Sequence, residues 1–134
     1  MIFRVFPENI ARLWPQVSPL FAPLLAERPT YSDEDARLLC MGGAGQLWVQ
    51  WQEPTVEAAI VTEFATYPRG CWVRIWLDGA RKDCRQDHHG FLSELEKWRD
   101  VNGCRGFECI GRAGWAKLFP QAKLEGIMLR WTER

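Results

Sequence analysis

The chain has no surplus of either charge, since lysine plus arginine number 17 and aspartate plus glutamate 17. With no basic tract either, the sequence argues against nucleic acid as a partner, because phosphate backbones call for a positive face. No run approaches the ~20 apolar residues of a membrane span, and the first residues lack the pattern of a secretory leader. Neither a membrane nor nucleic acid is expected as a partner. The five cysteines include no CxxC pair, which fits reduced thiols in a cytoplasmic setting and offers no zinc cluster. Cys40, Cys71, Cys104 and Cys109 lie in apolar contexts and are expected to pack as small hydrophobes. Tyr31 and Tyr67 are the only tyrosines. With no repeat, linker or low-complexity segment, residues 1–134 read as one domain.

What the chain does have is tryptophan, eight in all. Trp48, Trp51, Trp72, Trp76 and Trp131 lie in strand-like runs and are expected in the core, while an exposed remainder would suit a contact surface.

The most ordered pattern runs from Cys71 to Arg112. Cys71 to Leu77 is apolar and rich in aromatic and β-branched residues, as in a strand buried on both faces. Asp78-Gly79-Ala80 ends it, and a charged loop follows to Asp87. Phe91, Leu92, Leu95 and Trp98 then mark one face of a helix from His88 to Val101, stopped by Asn102-Gly103. Cys104 to Ile110 completes a strand–helix–strand crossover.

Upstream, Met1 to Phe6 reads as a short strand. Pro7 opens a helical stretch whose apolar face runs from Ile10 to Leu25. Pro15, Pro19 and Pro23 each remove a backbone donor, so a broken or kinked helix is expected. Ser32 is placed to cap a second helix, with Asp35 an imperfect partner for a capping box, and Gly42-Gly43 ends it. Gln46–Gln52 and Val56–Thr66 read as strands joined through Glu53-Pro54-Thr55, and Tyr67-Pro68-Arg69-Gly70 turns into the Cys71 strand. After Gly111, a helix over Arg112–Phe119 and a strand over Leu124–Trp131 close the order β-α-α-β-β-β-α-β-α-β. The fold class is α+β around a mixed central sheet.

That order, with the QLWV strand, the VTEFATYP strand and turn, and the helix from Leu92 to Trp98, resembles the GNAT fold of acetyl-CoA-dependent N-acetyltransferases. More narrowly, Asn102 to Trp115 resembles a group of small GNAT-like proteins of tailed bacteriophages, some of which are virion components. The resemblance implies a cofactor loop of pattern Q/R-x-x-G-x-G/A, whose backbone N–H groups cradle a pyrophosphate at a helix N-terminus. Its best register here is Arg85-Gln86-Asp87-His88-His89-Gly90, with Trp76 and Leu77 beside the cleft. His88 replaces the middle glycine, and Asp87 sets a negative charge where phosphate would lie. The bland reading is that Asp87 caps the helix and both histidines are solvated.

The family commonly draws a general acid from a tyrosine on the next helix. Trp115 in RAGWAKLF has no labile proton for that role. Glu57 and Glu63 are the weak candidates for a general base, needing burial to raise their pKa. Cys84 with His88 and His89 lacks zinc-type spacing, and Cys84 paired with a histidine as nucleophile is weaker still.

The resemblance thus implies a phage protein with a degenerate acetyl-CoA site, needing no cofactor. It would act by binding other phage or host proteins, in the virion or the host cytoplasm, with a homo-oligomer left open. The alternative is an active N-acetyltransferase using acetyl-CoA on a primary amine, helped by backbone donors on the Cys71–Leu77 strand.

Overall fold

A strand needs alternation or full burial and a helix needs a stripe, and the chain supplies these in succession. The computed structural model describes residues 1–28, 30–109 and 123. Its elements are β1 (Ile2–Val5), α1 (Pro7–Ala26), α2 (Asp33–Met41), β2 (Gly45–Gln52), β3 (Thr55–Tyr67), β4 (Gly70–Ala80), α3 (His88–Val101) and β5 (Phe107–Cys109). The strands form one sheet in the order β1-β2-β3-β4-β5. The first four run antiparallel, and β5 joins β4 in parallel across α3. The architecture is α+β with a mixed sheet, as expected through β5. The expected helix over 112–119 and strand over 124–131 lie outside the described residues.

The proline-bearing stretch does not break. α1 is one helix of 20 residues, with Pro15, Pro19 and Pro23 inside it. The prolines recur every fourth residue on the exposed side, opposite buried Ile10, Leu13, Trp14, Val17, Phe21 and Leu25. The carbonyls that lose their donors belong to Ala11, Pro15 and Pro19, all exposed, so water can serve them. α2 begins with a complete capping box. The Asp35 N–H donates to Ser32 Oγ at 3.1 Å and the Ser32 N–H donates to Asp35 Oδ2 at 2.9 Å, so the shorter acid closes the box after all. Trp14 Nε1 and Ser18 Oγ both donate to the Asp33 carboxylate, at 3.1 and 2.7 Å, and tie α1 to α2.

The sheet carries a core on each face. Ile10, Val17, Phe21, Leu47, Val49 and Val61 belong to the α1–α2 side, and Trp48, Ala58, Ile60, Ile75, Phe91 and Leu95 to the α3 side. Trp14, Trp48 and Trp76 are buried, whereas Trp51, Trp72 and Trp98 are half-buried. Trp131 and Trp115 lie outside the described residues.

β4 continues past Leu77. Asp78, Gly79 and Ala80 pair with Ile60, Ala59 and Ala58, so the expected strand end becomes strand. Gly79 serves close approach here, because a Cβ would collide with the Leu20 carbonyl oxygen of α1 and stand 2.8 Å from its carbon. The register also slips: Val61 faces Leu77 but Thr62 faces Ile75, leaving Trp76 as a bulge. Trp76 and Leu77 therefore both enter the α1-side core.

Cys71 and Cys104 are joined as a disulfide, which corrects the expectation of reduced thiols throughout. Two backbone bonds bring them together. Arg105 N–H donates to the Cys71 carbonyl and Val73 N–H to the Gly106 carbonyl, each at 2.9 Å, folding the α3–β5 link onto the start of β4. Cys40 is buried as expected, while Cys109 is exposed.

Candidate functional site

The chain places its polar groups of interest where β4 hands over to α3. Asp87 is the N-cap of α3, its carboxylate accepting the Gly90 N–H at 2.9 Å. Gly90 makes that cap fit, since a Cβ there would stand 2.9 Å from Asp87 Cγ and 2.6 Å from Ile2 Cδ1. Its missing side chain leaves room for this chain's own carboxylate and for β1. Capping by Asp87 is the bland reading of this segment.

The rest of the loop is latched from below by Gln50, a buried β2 residue only 9% exposed. Its Oε1 accepts the Asp87 N–H at 2.8 Å. Its Nε2 donates to the Arg85 carbonyl at 3.0 Å and to Glu57 Oε1 at 3.2 Å. His88 N–H is directed to the Gln86 carbonyl at 3.2 Å. Three N–H groups of the expected pyrophosphate cradle, those of Asp87, His88 and Gly90, therefore already have acceptors within the chain. A phosphate entering here would have to displace a carboxylate and break the Gln50 bond.

The side chains add negative charge. Gln86 Nε2 donates to Asp78 Oδ1 at 2.7 Å, and Asp78 and His88 line a cavity of about 10 Å³ with Ile60, Ile75, Phe91 and Leu92. Such a space holds no more than about one water. Burial pushes the Asp78 carboxyl above its ordinary 3.8, against the opposing effects of the Gln86 hydrogen bond and the nearby His88. The folded chain thus holds that proton more tightly than the unfolded chain, so this group's stabilising contribution is full below 3.8 and is lost as pH rises through the folded value. Asp78→Asn keeps an acceptor for Gln86 and removes the buried charge. It is expected to melt higher than wild type at about pH 7 and to match it at about pH 3. An equal gain at both values would show that the buried charge is not the cause.

Arg85 and His89 are exposed, and the nearby basic pair Arg81 and Lys82 is solvated too, with Arg81 held 3.0 Å from Asp83. At the bulge, Trp76 is roofed by the α1–α2 link. Arg28 Nη1 donates to the Trp76 carbonyl at 2.7 Å, and the Tyr31 ring stands edge-on to Trp76 at 4.6 Å. Leu77 is fully buried beside it. The two glutamates are not brought together. Glu57 is the extra residue of a β3 bulge, where the register passes from Gln50↔Ala58 to Trp51↔Val56, and it faces the loop. Glu63 lies 3.2 Å from Arg74, whose Nε also reaches Glu108 at 3.0 Å. Glu63 is thus committed to an ion-pair row across β3, β4 and β5. Among the described residues no group of three or more His, Cys, Asp or Glu side chains is placed to hold a metal.

Gln50, Asp78, Arg28 and Tyr31 were not legible as site residues. A signal existed for Gln50, which recurs with Gln46 at even spacing around Trp48 on one face of a strand. Two glutamines facing a helix imply buried partners, and Gln46 finds one in Thr62 at 2.8 Å.

The chain matches over 100% of its length an aminoglycoside acetyltransferase from an uncultured soil metagenomic sample, solved with trehalose, at TM-score 0.77 and 12% identity, covering 96% of that chain. It matches a predicted acetyltransferase of Clostridium acetobutylicum solved with acetyl-CoA at TM-score 0.71 and 13% identity, over 97% of this chain and 95% of that one. A ribosomal-protein-alanine N-acetyltransferase of Brucella melitensis biovar Abortus matches at TM-score 0.69 and 11% identity, over 98% and 99%. The fold is the GNAT fold. No protein-family profile matches the sequence, and no curated protein matches it. At these identities the likeness establishes the GNAT architecture and leaves chemistry to the residues. The residues of the α3 N-terminus fit poorly with a pyrophosphate: Asp87 already fills that place.

Proposed function

We propose that this chain is a GNAT-fold binding protein whose acetyl-CoA site is closed by its own residues. It would act through protein contacts in a tailed-phage particle or its host. The observation that carries the reading is the Asp87 carboxylate on the Gly90 N–H, backed by Gln50 on the Asp87 N–H. The same donors cannot also hold a diphosphate. The 10 Å³ cavity beside His88 and the ion pair that occupies Glu63 support the same reading. The phage setting rests on the resemblance of the run from Asn102 to Trp115, whose part beyond Cys109 lies outside the described residues.

One feature favours a second reading, an N-acetyltransferase acting on a primary amine. The Trp76 bulge disrupts the β4 ladder beside the expected cleft, and the structural neighbours are acetyltransferases, one holding acetyl-CoA. Here Arg28 and Tyr31 cover that bulge.

The two readings separate in a thiol-release assay with acetyl-CoA and a panel of primary amines, including an aminoglycoside and an N-terminal alanine peptide. The binding reading expects coenzyme A release no faster than without protein. Turnover in the ordinary enzyme range, about 1 s⁻¹ or faster, overturns it.

A further inference from the structure

A broad concavity lies away from the expected cofactor loop. A cavity of about 750 Å³ lies at the outer edge of the sheet, around β1, and includes none of residues 76–90. Phe3 and Trp51 form one wall on the α1 side, while Trp48 and Trp98 form the other on the α3 side. Phe6, 53% exposed, and Val101, 82% exposed, stand at its margin. The volume falls within the range of recognition pockets, and a rigid aromatic lining suits a contact surface.

The backbone at this edge is also available. The Trp51 N–H donates to the Met1 carbonyl at 2.7 Å, and the Met1 terminal ammonium donates to the Trp51 carbonyl at 3.2 Å. In an antiparallel ladder bonded and non-bonded pairs alternate. Phe3↔Val49 and Val5↔Leu47 therefore carry the bonds to β2, and the peptide groups of Ile2 and Arg4 point away from the sheet. Among the described residues no strand pairs with them. An open edge of this kind takes an extended chain by strand addition.

The charges say what that chain should carry. The Arg4 guanidinium lies over the Trp98 ring at 4.5 Å and near the Phe6 ring at 5.1 Å, with no carboxylate partner among the described residues. Among the described residues Arg12 donates only to Asn9, whereas Lys97 pairs with Glu94 at 3.1 Å and Glu53 accepts the Trp51 indole N–H. The groove thus offers two guanidinium groups with no carboxylate partner among the described residues, Arg4 over the aromatic rings and Arg12 on α1, against the single unpaired carboxylate of Glu53 at its rim. The Trp98 indole N–H beneath Arg4 is buried with no acceptor among the described residues.

We propose that the β1 edge and its aromatic groove dock an extended peptide segment of a partner protein. That segment would carry an acidic residue against Arg4 and apolar side chains against Trp51 and Trp98. Main-chain bonds to Ile2 and Arg4 supply affinity, and the carboxylate with the apolar side chains supplies selectivity. A second copy of this chain is a poor occupant. The strand Ile2-Phe3-Arg4-Val5 holds no acid, and pairing two such edges crowds two Arg4 guanidiniums into one small patch. The proposal rests on the binding reading for the existence of a partner, but the groove is independent of the cofactor loop.

The test is selection of a random heptapeptide library on the full chain, followed by affinity measurement on the enriched peptides. The expected result is enrichment of one acidic residue with an apolar residue two positions away, on the Trp98 face, and another at an adjacent position, on the Trp51 face. Binding should then fall tenfold or more with Arg4→Glu and severalfold with Arg12→Glu, a change on the exposed face of α1 that does not threaten folding. No enrichment, or enriched peptides indifferent to both variants, overturns the proposal. A dimer in sedimentation that Arg12→Glu dissolves also overturns it, in favour of self-association. Acetyl-CoA titration of the same variants keeps the two ideas apart: cofactor binding by the wild type refutes the closed site and leaves the groove result standing.

Discussion

Gly79→Ala is expected to lower the unfolding free energy by about 3 kcal/mol, the upper part of what overpacking a dense interior costs. The added methyl would collide with the backbone carbonyl of Leu20, and a backbone atom cannot swing aside as a side-chain tip can. α1 would have to lift from β4, along the very stretch that carries Phe21 and Leu25 into the core. Its trailing link would move with it, drawing Arg28 from the Trp76 carbonyl and Tyr31 from the Trp76 ring. Urea unfolding followed by tryptophan fluorescence should therefore show an earlier midpoint, by about 1–2 M given ordinary m-values. A native-state change in fluorescence should accompany it. An unchanged midpoint would mean that α1 does not ride on β4 at Gly79.

The second large effect is expected at Gln50. Gln50→Leu leaves the Asp87 N–H and the Arg85 carbonyl without partners, and Glu57 loses a donor. Stranding these part-buried groups beside a newly apolar side chain costs about 1–2 kcal/mol, since water can reach part of the loop. The local consequence distinguishes this from a generic core defect. Amide exchange over residues 81–87 should speed up by more than exchange in β2 and β3, because the latch holds the loop and not the ladder. Uniform acceleration across the sheet would contradict the assignment of Gln50 as a latch.

Much of the fold could be read from local pattern, and the failures have physical causes. α3 spans the stretch read from the spacing of Phe91, Leu95 and Trp98, and the antiparallel run of β2, β3 and β4 follows from its turns. What could not be read is where side chains of distant segments meet. The prolines of α1 looked disruptive because their shared solvent face becomes clear only once the helix is docked. Gly79 looked like a strand terminator because its reason lies in α1, far off in sequence. The Cys71–Cys104 pairing depends on the α3–β5 link folding back on β4, which no cysteine spacing reveals. At the candidate site the departure of His88 from a glycine pattern was legible. The cap by its neighbour Asp87 was legible too, but not the bond from the Asp87 N–H to Gln50, a β2 side chain on the same face of the sheet. Burial and partners, not residue type, decide that outcome.

The central claim is that this GNAT fold has closed its own pyrophosphate cradle. It is tested most directly by calorimetric titration of the full chain with acetyl-CoA, with Asp87→Gly/His88→Gly titrated alongside. The account predicts no saturable heat from the wild type up to about millimolar ligand, and weak binding when the carboxylate and ring are removed. Saturable micromolar binding by the wild type, at one site per chain, would contradict it.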